Sequence, residues 1–117
     1  MSALYRISPE TVVLAEASSK PEVLDVVART LARGHAALAA GELLGSLQER
    51  EALGSTGFGR GIAMPHARSN AVNRPHACLV RLQKPVAFEA TDGIPVDLLF
   101  GLVSPVDAGD SHLHALA

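Results

Sequence analysis

Apolar residues in the early part of the chain recur at the spacing of a helix. They stand three or four positions apart and would share one helix face, at Val23, Val26, Val27 and Leu31. The preceding run Ser18-Ser19-Lys20-Pro21-Glu22 combines a serine cap, a proline in the first turn and an early acid, as helix starts often do. Gly34 is a typical helix end. The pattern therefore predicts a helix between this start and Gly34.

The remaining patterns predict a second helix and then mainly strands. Spaced leucines predict a helix from about Ala36 to Arg50, although Gly41 and Gly45 weaken the helical pattern. Short apolar runs are typical of strands, and the most continuous of them, the last, should be mostly buried. These runs are at 11–14, 76–83 and 94–103. Helices first and strands later predict an α/β fold, with a mixed β-sheet flanked by helices in a single domain.

Composition changes this picture only by excluding classes of protein. The 117 residues carry 10 basic and 12 acidic side chains, so the basic excess that nucleic-acid binding requires is missing. No apolar run approaches the ~20 residues that span a bilayer. We see no signal peptide, and we expect a cytoplasmic protein without direct membrane insertion. The single cysteine, Cys78, excludes an internal disulfide, and we expect it to be a buried structural thiol.

A glycine-rich segment at 54–61 separates the predicted helices from most of the strands. It contains four of the ten glycines of the chain. A nucleotide-binding P-loop would need lysine and a hydroxyl residue where Arg60 and Gly61 stand, and a dinucleotide-binding fingerprint fails at its third glycine. Such glycine density indicates unusual backbone dihedral angles or a close approach to another group. One hypothesis is that its backbone N–H groups hold an anion, assisted by the hydroxyls of Ser55 and Thr56.

His66 differs from the other four histidines in its context. It follows Pro65, which restrains the backbone at the end of the glycine-rich segment. Three chemistries are open: a general base, a metal ligand together with His112 or His114, or a nucleophile that accepts a phosphoryl group on a ring nitrogen. No nucleophile motif supports the first, and the H-x-H pair is weak evidence for a metal. From isolated residues, a surface histidine ranks first and a phosphoryl acceptor second.

The residues before and including this histidine resemble a known family. The segment 53–66 (LGSTGFGRGIAMPH) is similar to the active-site segment of type-2 (fructose/mannitol-type) enzyme IIA domains of the bacterial sugar phosphotransferase system. Other stretches of the chain agree in order and spacing, at 50–52, 85–90, 95–100 and 111–114. The resemblance covers nearly the whole chain and is strongest toward the nitrogen-regulatory branch. It implies one enzyme IIA domain over residues 1–117, with the C-terminal helices of the family missing.

The resemblance implies a phosphocarrier that needs no metal or other cofactor. His66 would accept the phosphoryl group at Nε2 from an HPr-type histidine phosphocarrier protein. Arg50 would lie against the phosphoryl oxygens, and His112 would neighbour His66 and stabilise the added charge. The candidate phosphoryl-binding loop comprises Ser55, Thr56, Gly57 and Gly59. The implied recipients of the phosphoryl group are a sugar permease component or regulatory targets such as kinases and potassium transporters. Self-association of the chain into a homo-oligomer also stays open.

Two departures from the family pattern keep other functions open. Ala67-Arg68 stands where family members typically have glycine, often followed by lysine, and alanine disfavours a left-handed backbone at that position. The chain also ends at Ala117, where family members continue with helices that cover the sheet, so we expect a truncated domain. One alternative is a binding module of the same fold that is not phosphorylated. A less favoured alternative is a metal-binding protein that uses His66, His112 and His114.

Overall fold

The first helix begins and ends where its sequence predicts. The computed structural model describes residues 11–106, in which helix α1 spans Lys20–Arg33. Ser19 is the N-cap, and its Oγ accepts a hydrogen bond from the amide of Glu22 at 3.4 Å. Gly34 follows the last turn as the C-cap, and its amide donates to carbonyls of that turn. The capping serine and the glycine therefore set both ends of α1, as predicted.

The second helix, α2, spans Ala40–Ala52 and begins later than predicted. The prediction placed its start at Ala36, but His35 closes a turn there. Its Nδ1 accepts the amide of Ala37 at 3.2 Å, and its carbonyl oxygen accepts the amide of Leu38 at 3.0 Å. These local hydrogen bonds compete with the helical pattern, so α2 begins only after the turn. Within the part of the chain that the structure describes, neither helix is long and apolar enough to span a membrane.

Within residues 11–106, six strands form one mixed sheet, and helices α1 and α2 pack against it. They are β1 (Val12–Ala15), β2 (Gly57–Gly59), β3 (Ile62–Ala63), β4 (His66–Ser69), β5 (His76–Val86) and β6 (Val96–Pro105). Their order is β1-β5-β6-β3-β2, and β4 also pairs with β6. Strands β1, β5 and β6 confirm the three predicted strands. The sequence patterns did not predict β2, β3 or β4, because these strands are too short to show a period.

Strands β3 and β4 lie end to end along the same side of β6, and this arrangement places the candidate histidine. β3 pairs in parallel with β6 at 98–99, and β4 pairs in parallel with it at 102–105. Between these strands, Pro65 has no amide hydrogen to donate, but its carbonyl oxygen accepts the amide of Leu102 at 3.0 Å. The chain therefore stays beside β6 through the proline, and His66 is the first residue of β4.

The main core lies between α1 and the centre of the sheet and is almost entirely aliphatic. Val23, Val27 and Leu31 of α1 are each buried to 1% exposure or less. Gly101 of β6 approaches α1 closely, since a Cβ there would lie 2.6 Å from Val27 Cγ1 and 2.7 Å from Cys78 Sγ. Cys78 is fully buried, as predicted, and this burial raises the pKa of its thiol to about 12. The thiol therefore serves as a small apolar group in the core.

Candidate functional site

The hydrogen bonds of His66 determine which of its ring nitrogens carries a proton. Nδ1 lies 3.0 Å from the carbonyl oxygen of Met64, which can only accept a hydrogen bond. Nε2 lies 3.1 Å from Nε of Arg50, which can only donate one. Both contacts are satisfied by a neutral ring that has its hydrogen on Nδ1. The lone pair of His66 is therefore on Nε2, the atom that faces Arg50.

The surroundings of His66 favour this neutral form. The side chain is half-buried, and loss of hydration lowers the pKa of His66 below that of an ordinary imidazole. The positive charges of Arg50 and Arg68 lower this pKa further, whereas the Met64 carbonyl and the carboxylate of Glu51 raise it. The net direction is downward. His66 is therefore neutral, and its Nε2 is nucleophilic, at neutral pH.

Arg50 reaches His66 from the last turn of α2. Besides its contact with the imidazole, its Nη1 donates to the carbonyl oxygen of Gly54 at 2.8 Å. The guanidinium is thus held between the histidine and the loop that follows α2, although the two residues lie 16 positions apart in the chain. The structure brings together two of the residues that the resemblance selected. A contact between Arg50 and a phosphoryl group stays a prediction.

Two amides and one hydroxyl of the glycine-rich segment donate to acceptors within the protein. The amide of Thr56 donates to the carboxylate of Glu51, at 2.9 Å and 3.0 Å from its two oxygens. The amide of Gly57 donates to Ser55 Oγ at 3.0 Å, and that hydroxyl donates to the Phe88 carbonyl oxygen at 2.6 Å. These contacts indicate that the segment shapes the site. Direct phosphoryl binding by Ser55, Thr56, Gly57 and Gly59 stays a prediction. It would require the Ser55 hydroxyl and the amides of Thr56 and Gly57 to exchange these partners, whereas the buried Thr56 hydroxyl has no hydrogen-bond partner in the described structure.

Two structural features explain why glycine stands at these positions: close packing at Gly57, and positive φ angles at Gly59 and Gly61. A Cβ on Gly57 would lie 2.7 Å from the Cβ of Ala90, so the backbone there approaches the loop between β5 and β6 too closely for a side chain. Gly59 and Gly61 have φ angles of 113° and 83°, on either side of the turn residue Arg60. Glycine adopts these angles without steric cost. The turn is fastened by the Arg60 amide, which donates to Asp92 Oδ2 at 2.8 Å.

A buried carboxylate beneath the segment was missed by sequence reasoning. The side chain of Glu51 is 5% exposed, and one of its oxygens lies 3.1 Å from Nζ of Lys20. Lys20 also pairs with Glu89 at 3.2 Å and lies over the ring of Phe88, 4.6 Å from its centroid. Glu51 is an acidic residue next to Arg50 at the end of a helix, directly before the glycines. That position, and its place in the stretch 50–52 that shares the family resemblance, were the sequence features that could have identified it.

Of the other four histidines, the structure describes His35 and His76. His112 and His114 lie outside the described residues. The rings of His35 and His76 meet edge to face, with their centroids 4.8 Å apart. Within residues 11–106, no cluster of three or more His, Cys, Asp or Glu side chains is arranged to hold a metal ion. The histidine-based metal site therefore stays an alternative that rests on the sequence.

Ala67, which stands where the family typically has glycine, fits its position without strain. It lies in β4 opposite Val103 and is 5% exposed. Its backbone is extended, and among residues 11–106 the only non-glycine residues with positive φ are Arg60 and Glu89. Because no left-handed conformation is needed after His66, the alanine leaves the histidine in place.

Three comparisons relate the chain to known proteins. A family model described as "Phosphoenolpyruvate-dependent sugar phosphotransferase system, EIIA 2" matches residues 7–117. The nitrogen regulatory protein of Pseudomonas aeruginosa is 45% identical over 98 residues, which are 84% of this chain and 64% of that protein. This chain therefore spans less than two thirds of that relative's length.

Two solved structures have a similar fold. The nitrogen regulatory protein IIA-Ntr from Neisseria meningitidis superposes with a TM-score of 0.86 at 35% identity, over 94% of this chain and 75% of that chain. Enzyme IIA mannitol from Escherichia coli, solved in complex with phosphorylated enzyme IIB mannitol, gives a TM-score of 0.78 at 19% identity, over 97% of this chain and 80% of that chain. The second likeness concerns the fold alone.

Proposed function

This chain belongs to the EIIA 2 family of the phosphoenolpyruvate-dependent sugar phosphotransferase system, and on that basis we propose that it carries a phosphoryl group on Nε2 of His66. The observation that supports the proposal most directly is the polarity of the His66 ring. Its Nδ1–H donates to Met64, and its Nε2 lone pair faces a guanidinium. A neutral, partly desolvated imidazole beside a positive charge is suited to attack phosphorus and to hold the product.

The proposed step balances without an added proton. The Nε2 lone pair forms a bond to phosphorus while the P–N bond to the donor imidazole breaks. The electron pair of that bond returns to the donor ring, which carries a hydrogen on its other nitrogen and leaves as neutral imidazole. The hydrogen on Nδ1 stays in its hydrogen bond with the Met64 carbonyl. As the His66 ring gains positive character, this carbonyl stabilises it. The protein contributes mainly positioning and electrostatic stabilisation, as phosphoryl transfer requires.

Arg50 has to change partners during this step. In the structure its Nε–H points at the Nε2 lone pair, which is the electron pair that must attack phosphorus. The bond of Nη1 to the Gly54 carbonyl keeps the guanidinium near the site while Nε turns from the ring to the incoming oxygens. A guanidinium has five N–H donors, so it can retain this anchor and still bind phosphoryl oxygens. We propose His112 as a second stabilising group beside His66, following the family pattern.

The proposed donor is an HPr-type histidine phosphocarrier protein, and exposed apolar side chains support a protein partner. Leu53, at the end of α2, is 86% exposed, and Phe58, in the middle of β2, is 71% exposed. Leu53 directly precedes the glycine-rich segment and Phe58 lies within it. Large apolar side chains that remain exposed often mark interaction surfaces. We propose that the donor docks on them. As recipients of the phosphoryl group, the names of the relatives favour regulatory targets. They favour a sugar permease component, of which an enzyme IIB is an example, less.

Intact-mass spectrometry at neutral pH tests this proposal. The chain is incubated with phosphoenolpyruvate, the general first enzyme of the system and the HPr-type carrier, beside the variants His66→Ala, His112→Ala and His35→Ala. We expect an acid-labile gain of one phosphoryl mass in every protein except His66→Ala, with slower gain in His112→Ala. A folded chain that gains no mass would instead favour the binding module that is not phosphorylated.

A small donor separates docking from chemistry. Phosphoramidate can phosphorylate histidine without a protein partner, so it bypasses the proposed docking surface. We expect Leu53→Ser and Phe58→Ser to slow transfer from the HPr-type carrier but to react with phosphoramidate at the wild-type rate. If both variants reacted at the wild-type rate with the HPr-type carrier as well as with phosphoramidate, the proposed docking surface would be contradicted and the role of His66 would stay intact.

A further inference from the structure

Arg50 and Glu51, two neighbouring residues at the end of α2, bind the same loop. Arg50 binds it as a hydrogen-bond donor and Glu51 as an acceptor. Nη1 of Arg50 donates to the carbonyl oxygen of Gly54, and the carboxylate of Glu51 accepts the amide of Thr56 with both oxygens. The loop between these contacts is therefore fixed through one carbonyl and one amide, two residues apart. Arg50 also contacts His66, whereas Glu51 has no contact with the imidazole among those that the structure gives for residues 11–106.

We propose that Glu51 is a positioning residue for phosphoryl transfer, because its carboxylate fixes the loop whose Gly54 carbonyl holds the Arg50 guanidinium at Nε2 of His66. The inference rests on the proposed phosphocarrier function. The order of action is from carboxylate to loop, from loop to guanidinium, and from guanidinium to phosphoryl group. Among the described contacts Glu51 makes no hydrogen bond to the imidazole, although its charge raises the pKa of His66. The positioning effect that we propose passes through Arg50.

The burial of Glu51 shows that its contacts are specific. A carboxylate that is 5% exposed is costly unless it is paired and hydrogen-bonded, and here Lys20 and the Thr56 amide meet both needs. Lys20 is itself restrained by Glu89 and by the ring of Phe88. Lys20 thus restrains the Glu51 carboxylate on one side, and the carboxylate restrains the Thr56 amide of the loop on the other.

Glu89 provides a matched control within the same ion-pair network. It binds Lys20 at nearly the same distance as Glu51 does, 3.2 Å against 3.1 Å, but its side chain is 80% exposed. The structure gives it no hydrogen bond to the glycine-rich segment among the described contacts. Glu89→Gln therefore removes a carboxylate from Lys20 without touching the loop, and Glu51→Gln removes a carboxylate from both.

A double-mutant cycle tests whether Glu51 acts through Arg50. Initial rates of His66 phosphorylation by phosphoramidate are measured for the wild type, Glu51→Gln, Arg50→Ala and the double variant, each confirmed as folded by circular dichroism. We expect Glu51→Gln to slow the wild type about tenfold, since small displacements of a positioned group cost rate steeply. In the Arg50→Ala background we expect less than a twofold further loss, because the group that Glu51 positions is absent. Glu89→Gln should keep the wild-type rate.

Two results would overturn the proposal: a wild-type rate in Glu51→Gln, or the same factor of loss with and without Arg50. A merely structural contribution to folding would give equal losses in the two backgrounds. The ¹⁵N resonance of His66 Nε2 gives a readout that does not depend on phosphorylation. It should move in Glu51→Gln toward its position in Arg50→Ala, and it should stay in place in Glu89→Gln. A wild-type chain that is never phosphorylated would refute the proposed function, while this resonance still tests the positioning.

Discussion

The layer between α1 and the strands β5 and β6 differs from the segment 54–66 in the kind of interaction that holds it. The first is made of aliphatic side chains, and Val27 and Leu31 are essentially without exposed surface. The second is held by individual hydrogen bonds to neighbouring elements, among them those of Glu51, Ser55 and Asp92. Many interchangeable apolar contacts stabilise the layer, whereas each polar contact in the segment depends on a particular partner residue. The stability of this domain and the geometry of its site therefore respond to different substitutions.

The largest effect is expected in the aliphatic layer. Leu31→Ala removes a side chain that is 1% exposed and leaves a cavity, so the free energy of unfolding should fall by about 2–5 kcal/mol. Chemical denaturation measures this change. Leu14→Ala, at a side chain that is 65% exposed, is the control and should change stability by less than about 0.5 kcal/mol. Equal losses in the two variants would show that α1 does not form the core.

Arg50→Ala should separate function from stability. Loss of a charged donor to developing charge costs on the order of 100-fold in rate, so phosphorylation of His66 should slow by about that factor. The half-exposed side chain contributes little to the core, and the thermal midpoint should stay near that of the wild type. Rates of mass gain and a melting curve on the same sample check both parts. An unchanged phosphorylation rate would remove Arg50 from the proposed mechanism.

A pair of glycine variants compares close packing with open space. Gly57→Ala forces a methyl group to within 2.7 Å of Ala90 Cβ and 2.9 Å of its Cα, so we expect a destabilisation of about 1–3 kcal/mol. Gly45→Ala, inside α2, meets nothing within 4 Å and should stabilise the chain by about 0.5–1 kcal/mol. Opposite signs in chemical denaturation would confirm the contrast. A stabilising Gly57→Ala would contradict the contact between the two loops.

The smallest expected effect is the pH dependence that His66 contributes. Burial lowers its pKa in the folded chain, so the unfolded chain, with an imidazole pKa of about 6.5, binds a proton first as the pH falls. Stability should therefore decrease from just above pH 6.5 down to the folded-state pKa and then level off. Thermal midpoints from pH 5 to pH 8 measure this change, and the His66→Gln variant should lack it. A midpoint difference between the two proteins that is independent of pH would contradict the lowered pKa.

The fold could be predicted largely because its main elements carry repeating or continuous apolar patterns. The spacing of Val23, Val27 and Leu31 predicts α1, and the continuous run that contains Leu99 predicts β6. The late start of α2 could not be predicted in this way, because it depends on a turn closed by the ring of His35. The short strands on either side of Pro65 both pair with β6, and no period within them indicates that partner.

The site was predictable in its residue types but not in its connections. His66 and Arg50 were selected by resemblance to a family, and their contact across 16 residues is visible only in three dimensions. The glycines predicted an unusual backbone, but their positions depend on Ala90 and on a turn at Arg60. Glu51 was missed because a glutamate near the end of a helix usually faces solvent. Only the fold shows that it is buried against Lys20.

The carbonyl of Met64 also bears on which ring nitrogen the proposed phosphorylation of His66 would modify. Because the chain continues beside β6 through Pro65, this carbonyl is held against Nδ1 of the following ring and occupies the approach to that nitrogen. Phosphorylation of the chain should therefore give a single isomer, the one substituted at Nε2. Two-dimensional NMR of the phosphorylated protein, or reagents that recognise one phosphohistidine isomer, can read this directly. A backbone oxygen that strand pairing holds in place thus blocks one of the two ring nitrogens, Nδ1, from reaction.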